Sequence, residues 1–100
     1  AGIMAAKRTS ELVPLCHPIA LTSVEIEMDL DGERGLLTVT AVVDAVDRTG
    51  AEMEALTAVS VACLTVYDML KSIDREMVIA EIKLLSKSGG KTGDYARGGR

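Results

Sequence analysis

One hundred residues make one small domain, near the lower end of what a single hydrophobic core stabilises. Hydrophobic residues are 48% of the chain and aromatics 2%, both tyrosine, so the core is aliphatic. A net charge of −4 argues against a general nucleic-acid binder, whose surface is normally basic.

"AGIMAAKRTSEL" (1–12) is helix-favouring and has no N-cap residue before it, so it reads as the second half of a helix whose start is absent. "VPLCHPIAL" follows, where Pro14 and Pro18 forbid regular helix and favour extended chain. In "LTSVEIEMDL", Val24, Ile26, Met28 and Leu30 alternate with Glu25, Glu27 and Asp29, the pattern of a half-buried strand. "DGERG" supplies a turn and "LLTVTAVVDAV" a second strand, giving an antiparallel hairpin.

After "DRTG" a long helix is expected over roughly Glu52 to Ile73. Its stretch "ALTAVSVACLTVY" (55–67) carries no charge, where a surface helix should show a polar face. Full burial of such a helix in so small a chain calls for another subunit. No charge-free apolar run approaches ~18 residues, so no membrane span is expected. The opening residues do not read as a secretory signal, and a cytoplasmic setting is the default. "MVIAEIKLL" (77–85) reads as a last strand. "SKSGGKTGDYARGGR" (86–100) reads as a Gly/Lys-rich mobile loop or tail. The order is α-β-β-α-β in a single domain over 1–100. One further strand before the first helix would complete β-α-β-β-α-β, the ferredoxin-like split βαβ arrangement. The expected class is α+β, an antiparallel sheet with helices on one face.

Candidate chemistry is spread along this frame. Asp68 and Lys71 are one helical turn apart and within side-chain reach. The plain reading is a solvated ion pair; beside an apolar stretch that looks buried, the same pair in a partly desolvated cleft suits proton transfer. Glu54 shares their stripe but lies roughly 21 Å away at ~1.5 Å per residue, so a site using both is completed by a neighbouring subunit. Glu52 and Glu54 equally suit the first turn of a helix through the macrodipole. The single histidine, His17, adjoins Cys16 between two prolines; the pair is poor geometry for a nucleophilic dyad and better suited to ligand contact. Two cysteines form no disulfide framework, and one histidine with two cysteines makes no zinc site. "KSGGKTG" (87–93) has phosphate-cradling chemistry in Lys87 and Lys91 without the P-loop spacing, and with Lys7 and Arg8 it could form a basic patch for a polyphosphate.

Taken together, "AAKRTSELVPLCHPI", "RTGAEMEALTAVSVACLTVYDMLK" and "LLSKSGGKTG" closely resemble the cyclic pyranopterin monophosphate synthases of molybdenum cofactor biosynthesis. Departures are small: Ala51 where Val is common and Cys63 where Ala is common. The resemblance implies a ferredoxin-like homohexamer, a trimer of dimers, with active sites shared between subunits. It implies a lyase that converts 3′,8-cyclo-7,8-dihydroguanosine 5′-triphosphate, made from GTP by a radical enzyme upstream, to cyclic pyranopterin monophosphate with release of pyrophosphate. The family's first strand and the start of its first helix do not appear in this sequence.

Carried over by motif, Asp68 matches a catalytic aspartate and Lys71 a lysine beside it in general acid–base work. Leu15, Cys16 and His17 match one substrate-binding segment, and Met53 and Glu54 a second. Lys87 matches a lysine near the substrate, and Lys7 a further phosphate contact. No resident cofactor or metal is implied, with a divalent ion accompanying the triphosphate left open, and neither nucleic acid nor membrane is an expected partner. Without the resemblance, the same residues describe an oligomeric nucleotide-binding module without catalysis, or a purely structural assembly protein with a dispensable tail.

Overall fold

Alternation becomes a hairpin in the computed structural model, which describes residues 1–46, 49–89 and 93–98. Strand β1 (Leu21–Asp31) pairs antiparallel with β2 (Leu36–Ala45), from Asp31↔Leu36 beside the turn to Leu21↔Ala45 at the open end. Directly opposed residues point to the same side. Val24–Val43, Ile26–Ala41, Met28–Val39 and Leu30–Leu37 therefore line an entirely apolar face, while Glu27–Thr40 and Asp29–Thr38 line the other. The register skips Thr22, a bulge at the open end of the ladder. At the other end Asp31 accepts a hydrogen bond from the Arg34 backbone N–H at 3.2 Å. Gly35 takes the left-handed conformation (φ 62) that closes the turn, one that glycine adopts without steric cost.

The apolar face is covered at its open end by two helices, α1 (Gly2–Lys7) and α3 (Glu52–Leu70). They meet through small residues. Gly2, Ala5 and Ala6 are buried on α1, and Glu54, Ala58 and Ala62 form one buried stripe at four-residue spacing on α3. A Cβ added to Gly2 would stand 2.8 Å from the Ala58 carbonyl oxygen. The helices therefore cross at backbone contact, closer than larger side chains at the crossing would allow. Toward the turn, Met28 and Leu30 remain exposed beyond the reach of this cover.

The single helix read over residues 1–12 is in fact two pieces. Arg8 leaves helical geometry (φ −114, ψ 14), and a short α2 (Thr9–Leu12) follows. Thr9 is fully buried, and its hydroxyl is shared between the Ala5 and Ala6 carbonyls at 3.2 and 3.0 Å. The Ala5 carbonyl also accepts the Arg8 N–H at 3.0 Å, so backbone and side chain together close the end of α1.

Three further expectations are corrected. The long helix stops at Leu70 rather than Ile73: the chain tightens into a turn in which Ile73 donates its N–H to the Leu70 carbonyl three residues back, and the Tyr67 hydroxyl donates to the Arg75 carbonyl. The charge-free stretch of α3 is buried only at Ala58 and Ala62, exposed at Leu64 and half-buried elsewhere. At 19 residues and a mean hydropathy of 1.4, α3 is long and apolar enough by length and composition alone to cross a membrane; in this chain it packs one side against α1 and β2. Residues 77–85 form no strand: a ladder needs repeated pairing with a neighbour, and among the described residues only the C-terminal end of the segment is met, Arg97 donating its backbone N–H to the Leu85 carbonyl at 2.6 Å and its Nε–H to the Leu84 carbonyl at 2.7 Å, while Val78 is 82% exposed. The remaining strands, β3 (Ser86–Lys87) and β4 (Tyr95–Ala96), pair antiparallel with each other within the stretch read as a tail. The protein is α+β, with two antiparallel strand pairs and helices packed on the larger one.

Candidate active site

Asp68 and Lys71 stand on the last turn of α3 and just beyond it. The Lys71 ammonium donates to Asp68 Oδ1 at 2.6 Å. This hydrogen bond, with the carboxylate's charge, raises the Lys71 pKa above 10.5, so the amine is protonated at neutral pH. It can supply a proton or a fixed positive charge there, but not act as a base. Asp68 Oδ2 carries no partner among the described residues and is open to accept a proton. The desolvated cleft expected around the pair is not built by one chain, since the Asp68 side chain is 71% exposed.

The other end of α3 gathers a second group. Glu52, Met53 and Glu54 form its first turn, where the helix macrodipole favours acids. Lys87, brought from β3, donates to Glu52 Oε1 at 2.8 Å. Together they line a cleft of about 360 Å³ with Leu84, Gly93, Asp94 and Tyr95. Glu54 is only 5% exposed and makes no side-chain hydrogen bond or ion pair among the described residues. No sealed side-chain oxygen is left unpaired among the described residues, so the Glu54 carboxylate keeps a slight solvent contact. Met53 is exposed beside it.

Residues 13–16 turn back through a Cys16 N–H to Val13 carbonyl bond of 3.1 Å. Pro14 at the second position and a positive φ at the third are the marks of a type II turn. That third residue is Leu15, at φ 65 and 98% exposed, where glycine or asparagine is the ordinary occupant. The Cys16 thiol donates to the His17 carbonyl oxygen at 3.8 Å, and both cysteines are free thiols. No thiol–imidazole bond forms. His17 is exposed.

Lys7, exposed on α1, lines a different cleft of about 250 Å³ with Ile3 and residues 21–24. The hydroxyl of Ser23 there donates to Asp44 Oδ2 at 2.9 Å. Lys7 and Lys87 thus serve separate clefts rather than one basic patch, and Lys91 lies outside the described residues. The sequence singled out Lys87 but not its tie to Glu52, nor the cleft positions of Asp94 and Tyr95. Glu52 and Lys87 are 35 residues apart, and no local pattern signals such a pair.

The profile of the MoaC family matches residues 1–90. The chain belongs to the MoaC family. Among the relatives of this MoaC-family chain, a protein of Parvibaculum lavamentivorans named cyclic pyranopterin monophosphate synthase is 59% identical over 95 residues, covering 95% of this chain and 59% of the relative. One of the same name from Thermoanaerobacter pseudethanolicus is 60% identical over 97 residues, covering 97% of this chain and 61% of the relative. A third, from Brucella ovis, is 58% identical over 96 residues, covering 96% and 58%. The chain spans about three fifths of the length of these curated relatives.

In this MoaC-family chain, then, α3 carries an ion pair at each end. Glu54 and Asp68 are separated by about 21 Å of helix at ~1.5 Å per residue. Among the described residues, no three His, Cys, Asp or Glu side chains converge in a metal-holding group.

Proposed function

We propose that this chain works as a cyclic pyranopterin monophosphate synthase, converting 3′,8-cyclo-7,8-dihydroguanosine 5′-triphosphate to cyclic pyranopterin monophosphate and pyrophosphate in molybdenum cofactor biosynthesis. The reading is supported by the family match and by relatives of that name near 60% identity. The observation that carries it structurally is the placement of an acid–base pair and an anion-competent lysine at opposite ends of one helix. A small substrate cannot span both ends of one α3. The reading therefore takes the site as assembled from neighbouring chains, in a homohexamer built as a trimer of dimers. The exposed apolar residues Met28, Leu30 and Val78 support such assembly, since large exposed apolar patches mark interaction surfaces. In that assembly a ferredoxin-like sheet would be completed by a strand preceding Ala1, giving residues 77–85 a neighbour.

Within this reading Asp68 and Lys71 act on protons. Asp68 takes a proton through its open Oδ2 when the purine ring opens or when the ribose-derived hydroxyl attacks the α-phosphorus, breaking the bond to pyrophosphate. Lys71, held protonated by Asp68, supplies a proton or steadies the charge that develops. Lys87 and Lys7 meet phosphoryl oxygens. Leu15, Cys16 and His17 hold one side of the substrate, and Met53 and Glu54 the other. The reading includes a single domain over 1–100 and a cytoplasmic setting. It includes no resident cofactor, a divalent ion entering only with the triphosphate, supply of substrate by a radical GTP-using enzyme, and neither a nucleic-acid nor a membrane partner.

Turnover of the cyclic dihydro-GTP intermediate, followed by pyrophosphate release, tests this with wild type and Asp68→Asn side by side. Wild-type turnover, with a loss of about 10²–10⁴-fold in the variant and retained affinity, is expected. An assembled oligomer that binds the nucleotide without turning it over would make the chain a binding module instead.

A further inference from the structure

Lys87 is the most deeply set of the lysines in ion pairs here, its side chain 9% exposed. Sinking an ammonium that far strips its hydration, so it needs a carboxylate or carbonyl in return. Glu52 provides one at 2.8 Å. The two come from different parts of the chain with contrasting stiffness. Glu52 belongs to the first turn of a 19-residue helix, and its charge is welcome there through the macrodipole. Lys87 belongs to a two-residue strand followed by Gly89 at φ 81, a backbone that by itself places a long side chain poorly.

The charge around the cleft adds a second constraint. Its described lining carries one ammonium, Lys87, and two carboxylates, Glu52 and Asp94. Asp94 is occupied in closing the loop, its Oδ1 accepting the Gly89 N–H at 3.1 Å. Glu52 is the carboxylate that the structure sets directly on the ammonium, with its own side chain 40% exposed at the cleft. An anion entering there meets a lysine whose head is already fixed in place.

We propose that Glu52 is a positioning residue for Lys87: it pins the ammonium against the start of α3, at the cleft where the substrate's phosphate is received. This rests on the reading above, in which Lys87 contacts phosphate. Glu52 itself touches no reacting atom. Its contribution passes through Lys87, so removing it matters only while Lys87 is present.

Two measurements on the intact chain test this. Lysine-reactive acylation followed by mass spectrometry reads the pinning without any turnover. Lys87 is expected to react at least about tenfold faster in Glu52→Ala than in wild type, as protection by a fixed pair is lost, with Lys83 as the unchanged internal reference. Glu52→Asp should recover part of the protection. Unchanged Lys87 labelling in Glu52→Ala overturns the proposal. The second measurement is a double-mutant cycle on KM and kcat with Glu52→Ala, Lys87→Met and the pair. Each single change should raise KM by about tenfold more than it lowers kcat, and the double variant should resemble Lys87→Met alone. Additive losses, or a Lys87→Met variant with wild-type KM, overturn the proposal. Absence of turnover in the wild type would strike the synthase reading instead, and acylation would then decide the pairing alone.

Discussion

Asp68 and Lys71 are joined at 2.6 Å at the C-terminal end of the same helix whose N-terminal end holds Glu52 against Lys87 at 2.8 Å. Two ion pairs thus bracket α3, one in the open and one largely enclosed. The helix between them is a rigid spacer, packed against its neighbours through Ala58 and Ala62. Whatever the two pairs contact, α3 keeps them apart by most of its length.

The outer pair has a defined pH signature. Asp68 raises the pKa of Lys71 in the folded chain above its ordinary 10.5. Its stabilising contribution is therefore fully present below that value and fades as pH rises through the raised one. Wild type and Asp68→Asn should keep a constant stability difference between about pH 6 and 9, shrinking only in the alkaline range above 10.5. Denaturant midpoints across pH check this; a difference that changed near neutrality would show that another group is linked to the pair.

Contact at the helix crossing sets a second expectation. Gly2→Ala places a methyl 2.8 Å from the Ala58 carbonyl oxygen, a backbone atom that cannot swing aside. The clash should outweigh alanine's better helix propensity and destabilise by about 1–2 kcal/mol. Gly32→Ala, where nothing lies within 4 Å, should shift stability by less than about 0.5 kcal/mol. Urea unfolding of both variants tests the contrast, and equal midpoints would mean that α1 and α3 do not meet this closely.

Leu15 separates stability from binding. Its side chain is 98% exposed and its φ is 65. That backbone suits glycine, so Leu15→Gly relieves strain at about the entropic cost of a glycine. Stability should stay within about 1 kcal/mol of wild type. If Leu15 contacts substrate, KM should rise several-fold with little change in kcat. Calorimetric unfolding and steady-state kinetics on one preparation read both; a large stability loss would assign Leu15 to the fold instead.

Local pattern alone was enough for the hairpin and for the start of α3. Alternation from Val24 to Leu30, a Gly-containing turn and a β-branched second strand specify a register, because a slip of one residue would turn every apolar side chain to the solvent face. The motif matches likewise identified the family, because they are runs of residue identity and need no geometry. Partnership was another matter. "MVIAEIKLL" has strand composition, yet a strand exists only in a ladder, and among the described residues the segment 77–85 is met only by Arg97 at Leu84 and Leu85. The apolar stretch of α3 promised burial all round, but which side is covered depends on where α1 crosses, and that is set by Gly2 meeting Ala58. The break at Arg8 rests on Thr9 finding two carbonyls in a buried site. The pairing of Glu52 with Lys87 spans 35 residues, a distance in the chain that only packing closes. Side-chain pattern acts over one turn or one ladder step, so it was enough for the hairpin, for the start of α3 and for the motifs of the family. Which elements meet, and so which charges are paired and which stand open, was decided by the tertiary structure, because those contacts join residues far apart in the chain.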